Sequence, residues 1–437
     1  MVGKVLVAIL AGFAIAIPST FWLLKKVRIK SKIRHFQVST ALGMPIALFI
    51  YLLQTSFAVP IIVITVVFSL LVVALELTLR RIVSKYPSRR VTFDKGEYGT
   101  LVPFEEARAA AGAYPDDYMT KEFWQEMKSY TASRSEQKKK FNSENKNFKI
   151  QQTRLDLFAS IDFNGKQYHV NRGRRFTTDP PRTTDRNLFC LGNSTTFGYE
   201  VPDRLTYPSF LQRMLNAHDS SIEVINSGAA PATLYDAVGS FSLSGANKLS
   251  PRDIVVILFG VNECGWISQL TGARATAEIW LWLKALSGLA NLGFQLPTWL
   301  YLKLSPLSFR KFYQTAVKET IAILTDAHEN YSNHGVEMVA VLQPNIYTLS
   351  TKSANELNLE NKFSQDMKTL VRGAYKQFKF WVESVQFGVS ATHIFDNSKE
   401  PIFLDWTHIN ARGNELIAQF IFEELKKREL VVGVTGV

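Results

Sequence analysis

The chain has 437 residues, long enough for two or three domains, with 46% hydrophobic and 20% charged residues. A sizeable core is possible, and apolar sequence is left over for a bilayer. The net charge is +12, yet its placement argues against nucleic acid: of 50 basic and 38 acidic residues, residues 1–90 hold 12 and one (Glu76), which leaves 38 against 37 elsewhere. The basic excess flanks apolar segments, where it sets topology and attracts anionic lipid.

Val5 to Leu24 is an uncharged run of 20 residues, enough for a helix to cross a ~30 Å hydrocarbon core. Only Lys4 precedes it and Lys25-Lys26 follow it, the reverse of a cleaved signal peptide. Phe36 to Leu75 has no Asp, Glu, Lys or Arg. As one helix it would be about 60 Å long, twice what one crossing needs. Gln54-Thr55-Ser56 breaks it and Pro60 follows, so two crossings fit, 38–54 and 57–76. The first carries Gly43 and Pro45, and a re-entrant hairpin is the alternative. Residues 1–90 are therefore expected to be a membrane anchor. Two intervening crossings put six Lys/Arg in 25–35 and five in 80–90 on one side, which the positive-inside rule makes cytoplasmic along with the rest of the chain; a single crossing over 36–75 would move the rest to the other side.

Residues 91–184 read as a connecting region. Tyr114-Pro-Asp-Asp117 suggests a turn, and Thr120 is placed to cap a helix over Lys121–Tyr130. Ser133–Lys146 is polar and Lys-rich, an exposed helix end or a mobile loop. Phe158–Phe163 and Gln167–Val170 flank Asn164-Gly165 and predict a β-hairpin. Thr177–Arg186, with Pro180-Pro181, is a linker.

Over 185–430 short apolar runs alternate with amphipathic ones. Strands are expected at Asn187–Leu191, Ile222–Ile225, Ile254–Phe259 and Val336–Leu342. Helices are expected at Thr206–Leu215, Leu234–Leu243, Phe312–Glu329, Met367–Val385 and Glu415–Lys427. Ile254–Phe259 is wholly apolar, as in a parallel sheet covered on both faces. The expected fold class is α/β, a sandwich with a parallel sheet, and its site should lie outside the carboxyl ends of the strands. Cys190 and Cys264 form no CxxC pair and are too few for a disulfide scaffold. They read as small core residues, with a disulfide between them left open.

Four segments carry candidate chemistry. Ser194 lies in Leu191-Gly-Asn-Ser-Thr-Thr-Phe-Gly198, directly after a predicted strand. A serine hydroxyl needs an adjacent base to become a nucleophile. Asp405 and His408 lie in Phe403-Leu-Asp-Trp-Thr-His408, a spacing that brings the carboxylate to an imidazole nitrogen if the segment turns into a helix. Gly228, in Val224-Ile-Asn-Ser-Gly228, could present its N–H to an oxyanion, and Asn262, in Phe259-Gly-Val-Asn262, its side-chain amide. Taken singly, each also reads plainly: a turn serine, a helix-capping Asp with a surface His, a turn glycine and a helix N-cap.

In order, these four segments resemble the SGNH (GDSL-type) hydrolase family over roughly residues 185–425. The resemblance implies a flavodoxin-like three-layer α/β/α sandwich with Ser194 as nucleophile, His408 as base and Asp405 as its orienter. It implies an oxyanion hole of the Ser194 and Gly228 N–H groups and the Asn262 amide. Two positions depart from the family pattern: Asn193 stands where Asp is common before the serine, and Glu263 where Asp is common after the asparagine. They suggest a divergent branch, like those found with bacterial cell-surface or polysaccharide genes.

Residues 266–304 form an insertion with Trp280, Trp282, Trp299 and Tyr301. It reads as a lid or interfacial helix, or equally as a buried helical hairpin. No clustered His/Cys spacing, GxGxxG or P-loop is present, so neither a metal nor a nucleotide cofactor is expected. The expected function is a membrane-anchored serine esterase that removes an acyl group, acetyl among the candidates, from a glycan or lipid beside the bilayer of a bacterial inner membrane. An O-acyltransferase using the same acyl-enzyme and a non-catalytic membrane scaffold are the alternatives.

Overall fold

The structure, a computed structural model, describes residues 104–112, 114, 118–144, 161–218, 221–229, 234, 237–239, 241, 249–264, 295–362 and 365–431. By internal contacts the chain divides into two units, Met1–Tyr98 with Ala277–Ser308, and Gly99–Thr276 with Phe309–Val437. The predicted crossings 5–24, 38–54 and 57–76, and most of the insertion, lie outside the described residues. Among the described residues no helix is long and apolar enough to cross a membrane.

The second unit is built on a five-stranded parallel sheet. Two helices, α1 (Phe104–Ala111) and α2 (Lys121–Glu144), and a small antiparallel sheet of β1 (Phe163–Asn164), β2 (His169–Asn171) and β3 (Arg174–Arg175) precede it. Its strands are β4 (Arg186–Gly192), β5 (Ile222–Gly228), β6 (Ile254–Phe259), β7 (Glu337–Leu342) and β8 (Gly388–Ser390). Their order across the sheet is β5-β4-β6-β7-β8. Counted within this sheet that is 2-1-3-4-5, the flavodoxin-like order, whose switch point falls between β4 and β6. Gly192 of β4 pairs with Gly228 of β5 on one side and Leu258 of β6 on the other, so the carboxyl ends of the three strands lie level.

Residue chemistry accounts for this sheet. Every residue of β6 is buried, and in β7 only Glu337 is exposed, the pattern of central strands covered on both faces. Each of these Ile, Val and Leu side chains contributes roughly 1.5–3 kcal/mol by leaving water. β5, at the sheet edge, alternates buried with half-buried residues. The β4–β5 step runs opposite to the steps from β5 through β6 and β7 to β8, so right-handed crossovers place their connections on opposite faces. Neighbouring β4 side chains show both layers. Cys190 meets Tyr207, the first residue of α4 (Tyr207–His218), while Phe189 packs on Phe241 with ring centroids 4.9 Å apart. The last helix, α8 (Ala411–Lys427), packs on α4. Cys190 and Cys264 are both buried and unpaired, so the disulfide left open by the sequence does not form.

Several elements depart from expectation. The helix expected at 121–130 continues to Glu144; the hydroxyls of Ser129, Thr131 and Ser135 bond back to carbonyls one turn earlier at 2.9–3.0 Å. The hairpin has no two-residue Asn-Gly turn. Phe163 pairs with Val170 and Asn164 with His169, leaving a four-residue loop closed by Gly165 N–H to Tyr168 O at 3.0 Å. Glu126 of α2 holds that loop by accepting Gln167 N–H at 2.9 Å. The helix expected from Phe312 begins inside the predicted insertion, as α5 (Gln295–Ser332). The sequence reading also missed α6 (Ala354–Lys362) and β8, while α7 (Gln365–Val382) falls where a helix was expected.

Candidate active site

The site grows from the ends of β4 and β5 and from the turn before α8. Past Gly192, the four-residue helix α3 (Ser194–Phe197) begins, with Asn193 as its N-cap. Asn193 Oδ1 accepts Thr195 N–H at 3.0 Å, so the departure from Asp keeps a capping acceptor. Gly198 closes the helix, its N–H returning to Ser194 O at 3.0 Å. Gly192 takes φ 154°, and a Cβ there would lie 2.2 Å from Thr196 Oγ1. At Gly228 the reason for glycine is space, since a Cβ would lie 2.3 Å from Phe197 N. Both glycines let α3 sit directly on the strand ends.

His408 lies 214 residues from Ser194 in sequence, and its Nε2 is 2.8 Å from Ser194 Oγ. Its Nδ1 is 2.6 Å from Asp405 Oδ2. Asp405 also builds the turn that presents the histidine: its Oδ1 accepts Thr407 N–H at 2.8 Å and His408 N–H at 2.7 Å. A bridge from Phe403 to Ile409, with Leu404 N–H on His408 O at 2.8 Å, closes the turn. Asn410 then caps α8 by accepting Gly413 N–H at 2.9 Å, and its amide donates to Ala110 O and Pro401 O. Trp406 is buried and stacks on Tyr347 beyond β7. With Nδ1–H donated to Asp405, Nε2 is free to accept the Ser194 proton.

A residue the sequence reading missed completes the charge arrangement. Glu200 is buried, and its Oε1 lies 3.3 Å from the same His408 Nδ1. Burial pushes its carboxyl up to about 8, with Asp405 adding to the rise against the opposing pull of His408. Burial alone would pull His408 down, but Asp405 and Glu200 outweigh it and raise the imidazole to about 9. Burial works against an ionised Asp405 as well, yet His408 and the N–H groups it accepts hold it below the ordinary range. The missed signal was a single acid six residues past Ser194, outside every block of the resemblance.

Of the expected oxyanion donors, Ser194 N–H opens α3, where no intrahelical acceptor exists. Asn262 starts a short 3-10 turn, Asn262–Cys264, directly beyond β6 and thus beside the end of β4. Gly228 differs from expectation: its N–H is taken by Asn226 Oδ1 at 3.0 Å. Asn226 Nδ2 is buried and has no partner among the described residues. Glu263, the other departure from the family pattern, has a structural task. Its buried carboxylate accepts Leu234 N–H at 2.8 Å and Gly260 N–H at 2.7 Å, tying the β6 turn to residue 234.

The loop between Ser194 and α4 rests on a buried arginine. Arg175, from β3, donates to Gly198 O at 3.0 Å and Val201 O at 2.8 Å and pairs with the carboxylate of Asp203. Asp203 also accepts His169 N–H and lies 2.6 Å from His169 Nδ1. The guanidinium stacks on Tyr168, against which Tyr130, Phe163 and Phe197 pack, and Tyr199 packs on Tyr130. The segment expected merely to connect therefore supports the loop that carries Glu200.

No protein-family model and no curated protein matches the chain. Solved structures do align with its body. One is a member of the lipolytic protein G-D-S-L family from Veillonella parvula, 17% identical, covering 55% of this chain and 99% of that one, with a TM-score of 0.32. Another is a lipase/acylhydrolase from Enterococcus faecalis, 16% identical, covering 56% and 96%, with a TM-score of 0.31. A third is the acetylxylan esterase Axe2 from Geobacillus stearothermophilus, 13% identical, covering 56% and 95%, with a TM-score of 0.28.

Proposed function

We propose that the chain is a serine ester hydrolase of SGNH type, held at a membrane by residues 1–90 and acting on an acylated glycan or lipid beside the bilayer. One observation carries the reading: Ser194 Oγ, His408 Nε2, His408 Nδ1 and Asp405 Oδ2 form a continuous relay with links of 2.8 and 2.6 Å. In this reading His408 takes the Ser194 proton while Oγ bonds to the ester carbonyl carbon. The Ser194 N–H and the Asn262 amide face the developing oxyanion, and Gly228 N–H joins them once it exchanges Asn226 Oδ1 for the new acceptor. Each such donor is worth about 3 kcal/mol in the transition state. Collapse breaks the bond to the alcohol, which leaves with the proton from His408. Water then repeats the sequence on the acyl-enzyme and releases the acid.

The test is covalent. Full-length chain in detergent should react with a fluorophosphonate at Ser194 and hydrolyse p-nitrophenyl acetate. Ser194→Ala should abolish labelling and cut hydrolysis by on the order of 10⁴-fold or more. Hydrolysis at the wild-type rate by Ser194→Ala would sink the reading. Labelling without hydrolysis, with acyl transfer to an added glycan, would make the same acyl-enzyme an O-acyltransferase. Neither labelling nor turnover would favour a membrane scaffold.

A further inference from the structure

We infer that Glu200 is a positioning residue for His408, a second carboxylate on Nδ1 that steadies the imidazolium alongside Asp405. This rests on the reading of Ser194 as nucleophile and His408 as its base. The geometry is specific. Two carboxylates converge on one ring nitrogen, Asp405 Oδ2 at 2.6 Å and Glu200 Oε1 at 3.3 Å, from segments far apart in sequence. Glu200 is 6% exposed, so it is not a surface acid that happens to lie near. Its loop is fixed on both sides by Arg175, through Gly198 O and Val201 O.

A buried acid costs stability unless it is partnered, and such acids are concentrated at functional sites. Among the described residues, few groups act on Glu200. His408 and Asp405 face it from the turn before α8, Arg175 from β3, and Tyr168 and Tyr199 are coupled to it from β2's loop and its own segment. Arg175 is paired with Asp203, and among the described residues His408 is the cation in direct contact with Glu200. Their protons titrate as a pair. The charge on the imidazolium favours an ionised Glu200, and the carboxylate in turn favours the protonated imidazole. His408 must lose its proton before it can accept that of Ser194. The second carboxylate therefore makes the base stronger and moves its working range to higher pH.

The experiment is the pH dependence of the fluorophosphonate labelling rate at Ser194, which needs no knowledge of the substrate, on the full-length chain. Wild type should show a rising limb displaced to alkaline pH. Glu200→Gln keeps size and polarity; its limb should move to lower pH by about one unit, and its high-pH plateau should fall by roughly 3–10-fold. The two curves then cross, which a simple packing defect cannot produce. Glu200→Asp, which retains the charge, should keep the alkaline limb. Asp405→Asn leaves Glu200 as the remaining carboxylate, so adding Glu200→Gln to it should cost at least about a further tenfold. A limb unmoved in Glu200→Gln, with wild type labelled normally, overturns the role of Glu200 alone. Absence of labelling in wild type at every pH overturns the nucleophile reading beneath it.

Discussion

At the scale of single residues, the site concentrates charge where burial opposes it. Two carboxylates, Asp405 and Glu200, lie within 3.3 Å of His408 Nδ1, and all three groups are largely shielded from water. This has a consequence for stability as well as for chemistry. His408 is raised in the fold from 6.5 to about 9, so the stabilisation from its cation is full below 6.5 and is lost as pH rises through about 9. Glu200 is raised from 4.5 to about 8, so its ionisation favours the unfolded chain increasingly from 4.5 upward until about 8. Both effects run in the same direction. The thermal midpoint should fall between pH 5 and pH 9, and Glu200→Gln should flatten that fall. A Glu200→Gln protein whose Tm follows the same pH curve as wild type would show that the carboxyl does not titrate across this range in the fold.

At the scale of elements, two close approaches decide whether the serine is presented at all. Phe197 N of α3 sits against the Cα of Gly228, so Gly228→Ala must displace either the helix or the strand end. Overpacking of this kind costs about 1–3 kcal/mol. The expected result is a folded protein, by its denaturation midpoint, whose Ser194 labelling falls by on the order of 100-fold because the Ser194–His408 distance changes. Labelling at the wild-type rate would mean that α3 adapts without moving its first residue. The second approach is Arg175 beneath the loop 198–203. Arg175→Met leaves Asp203 buried without its cation, a loss of about 3–5 kcal/mol that urea denaturation would measure. A change below about 1 kcal/mol would mean that His169 alone satisfies Asp203.

At the scale of the whole molecule, the catalytic reading and the membrane reading rest on different parts of the chain and are tested separately. Both native cysteines are buried, so an introduced thiol can be followed against a low background. Ser31→Cys, in the basic loop 25–35, should react with a membrane-impermeant maleimide only after the membrane is opened, if that loop is cytoplasmic. Reaction in intact cells would place the loop, and with it the segment 80–90, on the outer side.

Much of the body was legible in advance because it depends on local patterns. The runs that became β4 to β7 are short, apolar and bounded, and Ile254–Phe259 was delimited to the residue. Ser194, Asp405 and His408 could be named because their segments carry recognisable residue types at fixed spacing. β8 was not legible, since three residues at a sheet edge carry too little pattern to separate from a loop. The full length of α2 was hidden because its second half is polar, and it is tied down by Gln137, which bonds the backbone of Asp162 at 3.0 and 3.2 Å, rather than by an apolar stripe. Glu200 was hidden for a different reason. Nothing local distinguishes a buried acid from a solvated one, and its meaning comes from a histidine 208 positions away. The engagement of Gly228 N–H by Asn226 likewise depends on a rotamer, not on a motif. By itself, the sequence determined the alternation that makes a parallel α/β sheet, the residue types of the candidate relay and the asymmetric charge of residues 1–90, because period, composition and spacing are properties of the chain. Only the tertiary structure decided the 2-1-3-4-5 order, the 2.8 Å approach of Ser194 to His408 and the second carboxylate on the imidazole, because these depend on which distant segments are buried together.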